Sequence, residues 1–512
     1  MFSGKKAIFI QHCFLVAVGT LLLCLAISGA SLWIDEGITA ALAVQTSLPA
    51  WAATLSSMRG SEMQMPAYVF YIWAWARVFG TSEVALRFAN LPWALVFTAS
   101  LAWGAEYVLK IRKAWLIFCL SPFVWFYMNE ARPYAMLMSF SMLTTVSVLA
   151  YSRDSNRFRV AQWWAMISLL ALWSVHMLTI VLAPSLLLFL CITRPVPFRR
   201  FIKQWFLPVV VILPFYCCLA LYYVHTLVRG KGGLIESPSM ANLLFAIYEF
   251  FGFGGLGPPR NLLRNFFTLH TLALYLPSLG FGVVALCIVI FSIFKNLRES
   301  SERREVIGLF GAFLTGLLIT LALSYVTHFR VLGRHVATFY PLLVLILLSG
   351  LLAAGNRTRS RLGLFALLLL GVAWSISDFR LRLLPSYQKD DYRDAAVLAR
   401  TALLRGEPVL WLANGDTAKY YGLPVFLAPR RGDIAQFEGM ATVSRGCSPS
   451  WFQKSLPHHD EVLVVISDKP DLFDPEDNCQ KALNSLSGEH VARFSDFDVW
   501  QIAGHKSVSE KY

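Results

Sequence analysis

Asp35 and Glu36 stand side by side in ASLWIDEGITA, directly after a long apolar run. Two carboxylates there fall at the C-terminal end of the preceding helix, whose negative dipole end raises their pKa. A carboxylate raised in this way is a better base. The plainer alternative is a solvated pair that stops the helix at the membrane surface. Glu130 lies in SPFVWFYMNEARPYAMLM, a tight turn between two apolar runs, with Arg132 two residues on as a candidate partner. A carboxylate so near hydrocarbon costs roughly 2.5–3.5 kcal/mol on insertion scales if unpaired. Glu130 is therefore either functional or half of a local Glu–Arg pair that ties the turn down. A basic group gathers late, in THFRVLGRHVATFYP: His328, Arg330, Arg334 and His335. Arginine reads phosphate through bidentate, charge-assisted bonds, so this cluster could hold a lipid phosphate; snorkelling towards headgroups is the alternative. His176, alone in LWSVHMLTI, reads first as a packing histidine.

The chain that must position these residues has 512 residues, of which 56% are apolar and 15% charged, and its mean hydropathy is +0.56. Soluble domains run nearer 45–50% apolar and about 25% charged. Disorder, collagen, coiled coil and small disulfide scaffolds are excluded by the same figures, which leaves a polytopic membrane protein. Residues 1–376 carry 29 Lys and Arg against 12 Asp and Glu, whereas residues 377–512 carry 16 against 19. The net charge of +14 thus belongs to loops of the membrane half and does not signal a nucleic-acid partner.

A spanning helix needs about 20 mostly apolar residues. Eleven segments qualify, centred within 8–30, 88–108, 114–129, 134–151, 161–177, 178–193, 205–225, 268–294, 306–325, 336–354 and 362–377. The first reads as a retained helix, since its apolar run from Ala7 to Ala30 is longer than a typical signal core and no clean small-x-small cleavage site precedes Trp33. With the N-terminus in the cytoplasm, 19 of the 29 basic residues fall in short cytoplasmic segments, among them Lys110, Arg112, Arg153, Arg157, Arg194, Arg304 and Arg357. Glu302 and Glu305 fall among them as solvated counter-charges. The C-terminal tail then lies outside, in the periplasm if the membrane is a bacterial inner membrane. PAYVFYIWAWARVFG, residues 66–80, is too short to span and reads as an interfacial helix whose Trp and Tyr rings seek the headgroup zone.

Residues 378–512 alternate strand and helix signals, the mark of a small α/β domain. YRDAAVLARTALL and DTAKYY read as helices, PVLWLA and EVLVVIS as strands, PEDNCQKALNSL as a helix, and VARFSDFDVWQIA as a strand or hairpin. Cys447 and Cys479 are the two cysteines of this tail; in an oxidising compartment they would pair if the fold brings them close. There is no CxxC or His-x-x-His spacing, and the adjacent His458-His459 chelate poorly, so no metal site is assigned. No cofactor is assigned either, with a divalent metal left open.

Taken in order, the Asp-Glu after the first span, EMQMPAYVFYIWAWARVFGTSEVALRFANLPWALV, the EARPYAM turn, GRHVATFYPLLVLIL and KDDYRDAAVLAR resemble the polyprenyl-phosphate-sugar-dependent glycosyltransferases of the GT-C fold. The branch most similar contains protein O-mannosyltransferases and the aminoarabinose transferase acting on lipid A. The resemblance covers the spans to about residue 377 and, more loosely, the tail. It implies a sugar donor on a polyprenyl phosphate, a site facing the periplasm or lumen, and Asp35 as base with Glu36 beside it. Glu130 then falls on the second acidic motif and Arg334 on the donor phosphate. Glu62, Gln64, Arg132, Tyr134, His176, Arg330 and His335 are the further substrate-binding candidates. Two motifs depart from the family pattern: Glu62-Met63-Gln64-Met65-Pro66 stands where His-Pro-Pro is common, and Arg334-His335 where Arg-Tyr is common.

The chemistry is coherent without the family. A polyprenyl phosphate leaves readily, so the protein must supply a base for the acceptor and positive charge for the departing phosphate. Direct displacement inverts the anomeric centre. The acceptor is a lipid, a glycan or a protein, and membrane lipids surround it. The rivals are a transporter or flippase for lipid-linked sugars, which predicts inverted repeats and acidic residues in mid-span, a non-catalytic scaffold, and, closer, a polysaccharide polymerase or ligase.

Overall fold

The computed structural model of the chain describes residues 2–503 except 59, 112, 155–159, 194–197, 229–238, 260–261, 263–268, 299–301, 353–356, 428–438, 445–460, 468–472, 474–478, 480, 482–488 and 495–496. Arg112, Arg157, Arg159, Arg194, Cys447, His458, His459 and most of the expected helix PEDNCQKALNSL lie outside the described residues, as does the Arg357 side chain.

Among the described residues seven helices are long and apolar enough to cross a bilayer, and the protein is an integral membrane protein: Glu83–Val108, Tyr134–Arg153, Phe201–Val228, Leu276–Leu297, Arg303–Thr327, Gly333–Leu352 and Arg361–Leu383. Three apolar helices are shorter, Phe9–Cys24, Ala161–Val175 and Met177–Thr193. The expected span over 114–129 is a 3-10 turn, Ala114–Leu120, followed by the helix Pro122–Met128. Ser121 between them is extended, as the residue before a proline prefers.

Burial sorts these helices. Tyr134–Arg153 and Gly333–Leu352 are almost wholly enclosed by protein. Phe198–Val228 instead turns Phe206, Leu207, Val210, Leu213, Phe215 and Leu221 outwards. Apolar faces of that extent are covered by lipid in a membrane protein. Arg153 at the end of one enclosed helix bonds Glu305 at 2.6 Å and Glu302 at 3.2 Å, so those two glutamates are half-buried partners rather than solvated counter-charges.

The first helix ends at Cys24, eleven residues before Asp35. Residues 25–33 are extended or turned, and a new helix, Ile34–Ala43, starts after Trp33. Asp35 and Glu36 therefore occupy the first turn of a helix, where the dipole favours negative charge. The expected C-terminal placement, with its raised pKa, is corrected by this break. The backbone left without a helix is bonded by Arg87, whose guanidinium donates to the carbonyls of Ser28 at 2.9 Å, Ala30 at 2.6 Å and Ser31 at 3.1 Å.

The helix Pro66–Phe79 opens on proline and stops before Gly80, whose φ of 89° suits glycine. At 14 residues it is about 21 Å long, short of the ~30 Å hydrocarbon layer. Its aromatic handles are bonded within the same loop. Trp73 Nε1 donates to the Gln45 carbonyl at 2.8 Å, Trp75 Nε1 to Ala85 at 2.8 Å, and the Tyr71 hydroxyl to Ala89 at 2.6 Å. The helix is fastened to its own loop.

In the tail, helix Tyr392–Leu404 packs on a six-stranded sheet of order β2-β3-β1-β4-β6-β5. The strands are β1 (Val409–Leu412), β2 (Val425–Leu427), β3 (Ala441–Val443), β4 (Glu461–Ser467), β5 (Glu489–Phe494) and β6 (Phe497–Ala503). Strands β2, β3, β1 and β4 are parallel, and β6 and β5 close the edge as an antiparallel hairpin. The helix buries Tyr392, Ala395, Ala396 and Ala399, one face at helical spacing, against Trp411 and Phe497. Ile34, beside the carboxylate pair, is buried in this same core.

Candidate functional site

Asp35 and Arg334, 299 residues apart, meet as an ion pair through Asp35 Oδ2 and Arg334 Nη1. Arg334 comes from the short helix Gly333–Val336, which leads into the enclosed helix Tyr340–Leu352. The pair remains partly open, with side-chain exposure of 28% for Arg334 and 21% for Asp35. Three ion pairs with buried carboxylates surround it.

In the first, Arg87 Nε and Nη2 donate to the two Glu36 oxygens at 2.9 and 2.8 Å, a bidentate pair with neither side chain above 2% exposed. The Ala131 N–H adds a bond to Glu36 Oε1 at 2.7 Å. Burial pushes the Glu36 carboxyl up, but the Arg87 charge and hydrogen bonds outweigh it and hold the group below the usual carboxylate range.

In the second, Arg132 donates to Glu62 at 3.0 Å, to Thr39 Oγ1 at 2.8 Å and to the Asp35 carbonyl at 3.1 Å. Glu62 lies in the 3-10 turn Ser61–Gln64, so one guanidinium joins that turn to the helix bearing Asp35. Gln64 is buried beside it, and the neighbouring Met63 carbonyl accepts from Tyr222 at 2.8 Å.

In the third, Glu130 pairs with Lys389 of the tail, not with Arg132. The local Glu130–Arg132 pair expected from the sequence is corrected: Arg132 points into the loop, and a residue 259 positions away takes its place. Glu130 is buried, and desolvation raises its pKa against the opposing charge of Lys389.

The other candidates ring this centre. Tyr134 is buried against Tyr127 with centroids 4.8 Å apart, and the charges of Arg334, Arg132 and Asp35 act on its hydroxyl. His176 accepts from the Leu178 N–H at 3.2 Å, and burial together with Arg132 and Arg334 pushes its pKa down to about 3. It is a neutral histidine facing two arginines. His335 accepts from the Leu332 N–H at 3.1 Å, and the Arg330 backbone hydrogen-bonds its ring. The structure brings the predicted site residues to one region, drawn from five separated stretches of chain.

Sequence reasoning missed Arg87, Thr39, Asn90, Asn129 and Lys389. Asn90 donates to the carbonyls of Met128 at 3.1 Å and Glu130 at 2.7 Å, and Asn129 accepts from the Ser28 N–H at 2.8 Å. Arg87 reads as a flanking charge before a span. Lys389 opens the motif KDDYRDAAVLAR, but nothing local in it points to Glu130.

The tail docks beside this centre. Tyr421 Oη accepts from the Leu32 N–H at 2.7 Å, Arg393 pairs with Glu83 at 3.1 Å, and Tyr420 donates to the Thr81 carbonyl at 2.6 Å. Thr417 Oγ1 donates to the Ile34 carbonyl at 3.3 Å. Among the described residues no group of three or more His, Cys, Asp or Glu side chains could hold a metal ion. Cys479 is disulfide-bonded.

No family model matches the chain, and no curated protein matches it. Solved structures do. ArnT from Cupriavidus metallidurans in the apo state superposes with a TM-score of 0.50 at 13% identity, over 97% of this chain and 98% of that one. The same protein bound to undecaprenyl phosphate gives 0.49 at 13% identity, over 96% and 97%. At this identity the likeness concerns the fold: a GT-C-like bundle of membrane helices followed by a small C-terminal α/β domain.

Proposed function

We propose that this chain is an integral-membrane glycosyltransferase, moving a sugar from a polyprenyl-phosphate donor to a lipid, glycan or protein acceptor on the outer side of the membrane. The observation that carries this reading is the Asp35–Arg334 pair, a half-open carboxylate and guanidinium in contact within a GT-C-like fold. Asp35 accepts the proton from the acceptor hydroxyl as its oxygen attacks the anomeric carbon. The bond from that carbon to the phosphate oxygen breaks, and Arg334 receives the departing phosphate. A glycosyl phosphodiester carries one negative charge and the released monoester gains a second, so the guanidinium stabilises the transition state more than the ground state. In the free protein the two side chains neutralise each other. A donor phosphate that takes over Arg334 releases Asp35 to act as base. Displacement in one step inverts the anomeric centre. Arg132, Glu62 and Arg87 hold the helix that bears Asp35, while neutral His176, Tyr134 and His335 lie within electrostatic reach of Arg334 and, with Gln64 and Arg330, are the candidates for binding substrate.

The test is sugar transfer by purified protein in lipid from a panel of labelled polyprenyl-phosphate sugars, beside Asp35→Asn and Arg334→Ala. Transfer by the wild type, lost by roughly a thousandfold in Asp35→Asn, supports the reading. Transfer from none of the donors, with a broad acceptor extract present, overturns it in favour of a flippase or scaffold. Full activity in Asp35→Asn removes Asp35 as base.

A further inference from the structure

The pair that closes over Glu130 is built from the tail, and the tail does not need it as a tether. Tyr421, Arg393, Tyr420 and Thr417 already bond the tail to residues 29–34 and 81–83. Ile34 is embedded in the tail's own core as well. Lys389 reaches elsewhere. Its ammonium lies 4.1 Å from the Phe126 ring centroid and 5.1 Å from that of Trp33, and it pairs with Glu130. Two aromatic faces and a buried carboxylate shield most of the Lys389 side chain, which keeps 26% of its surface, and a partly desolvated cation acts more strongly on the one anion it meets.

Glu130 in turn sits at the hub of the site. Its own carbonyl is held by Asn90, the next N–H bonds Glu36, and the next side chain clamps Thr39, Glu62 and the Asp35 carbonyl. The charged and titratable groups facing Glu130 are Asp35 and Glu36 on helix Ile34–Ala43, Arg87, Tyr68, Tyr134 and Lys389. Glu130 is 1% exposed, and its second oxygen has no hydrogen-bond partner among the described residues. Lys389 is the one cation in ion-pair contact with it among those residues.

We propose that Lys389 is a positioning residue of the catalytic site. Its ammonium keeps Glu130 ionised, and through the 129–132 turn this fixes the geometry of Asp35, so the docked tail is a working part of the transferase. The inference rests on the glycosyl-transfer reading above.

The experiment compares wild type, Lys389→Met, Lys389→Arg, Glu130→Gln and the double variant Lys389→Met/Glu130→Gln in lipid. Transfer is measured from pH 5 to 9, and each protein is checked for a folded thermal transition. The expected result for Lys389→Met is a kcat reduced roughly tenfold or more near neutrality, with donor KM changed less than about threefold. Its rising pH limb moves to higher pH, because Glu130 without a counter-charge holds its proton longer. Lys389→Arg restores the wild-type profile, and the double variant is no worse than Glu130→Gln alone. A Lys389→Met that is folded and keeps the wild-type kcat overturns the proposal. So does one that loses activity equally at every pH, since that is a tether. Glu130→Gln with full activity overturns it too. Absence of transfer by the wild type sinks the glycosyl-transfer reading and this inference with it, and is recognised by the wild-type arm alone.

Discussion

Arg87→Met is the most informative stability test. In the wild type this guanidinium makes two bonds to Glu36 and three to the carbonyls of residues 28, 30 and 31, at 2.6–3.1 Å, with 2% of its side chain exposed. Methionine fills much of the same volume but leaves a buried carboxylate without its cation. Breaking a buried pair from one side costs about 3–5 kcal/mol. The three carbonyls add to this only where water cannot reach them, so 3–5 is the working figure. At roughly 2 °C per kcal/mol, the lower end for larger domains, the apparent melting temperature falls by about 6–10 °C. The pH dependence separates this cause from a simple packing defect. Glu36 has a depressed folded pKa in the wild type, so its contribution is present above the unfolded value of about 4.3 and is lost as pH falls through the folded pKa. In Arg87→Met the stranded carboxylate takes up a proton more readily when folded than when unfolded, so that variant regains stability as pH falls from 7 towards 5. Adding Glu36→Gln to Arg87→Met recovers a good part of the loss at pH 7. The assay is thermal unfolding in detergent or nanodiscs at pH 5 and 7. An Arg87→Met that melts with the wild type, or a double variant as weak as Arg87→Met at both pH values, refutes the reasoning.

Other sites give independent checks. A Cβ on Gly37 would stand 2.2 Å from Thr417 Cγ2 and 2.5 Å from its Cβ, so Gly37→Ala forces the tail off helix Ile34–Ala43; about 1–3 kcal/mol of stability and most of the transfer activity are expected to go. Tyr421→Phe loses the bond from the Leu32 N–H, at about 1 kcal/mol, and lowers the melting temperature slightly while transfer persists. His176 is neutral when folded, with a pKa pushed down to about 3, so its contribution is present above about pH 6.5 and is lost as pH falls towards 3. His176→Asn should therefore flatten the acid limb of the melting-temperature profile; an unchanged limb counts against the placement of His176 beside Arg132 and Arg334.

Apolar length carries most of what was legible. Runs such as Phe201–Val228 and Leu276–Leu297 announce themselves because lipid tolerates no other sequence. The parallel strands β1 and β4 and the closing hairpin were equally plain from their flanking helices and turns, whereas β2 and β3, three residues each, were too short to signal. The candidates Asp35, Glu130 and Arg334 stood out because charge is rare near hydrocarbon. Their partners did not, because pairing is tertiary: Arg87, Thr39 and Lys389 look ordinary in their own neighbourhoods. The helix break between Cys24 and Ile34 was missed for a related reason. ISGASLW is apolar enough to continue a span, and only the Arg87 bonds to its carbonyls explain why an extended backbone is stable there.

The same accounting separates the residues that hold the site from those that could react. Glu36, Glu62 and Glu130 each face a cation and are at most 3% exposed, so a substrate cannot displace their partners without stranding a buried charge. The pair of Asp35 and Arg334 is different. Both members keep about a quarter of their surface, so exchanging one partner for a phosphate and the other for an acceptor hydroxyl costs little desolvation. Two adjacent carboxylates with the same dipole environment are thereby given opposite roles by one feature, the depth of the arginine each one meets. Exchanging their fates is the strongest test of that division: Glu36→Gln should act first on stability and Asp35→Asn first on kcat. A Glu36→Gln that folds as well as the wild type but transfers nothing would reverse the assignment.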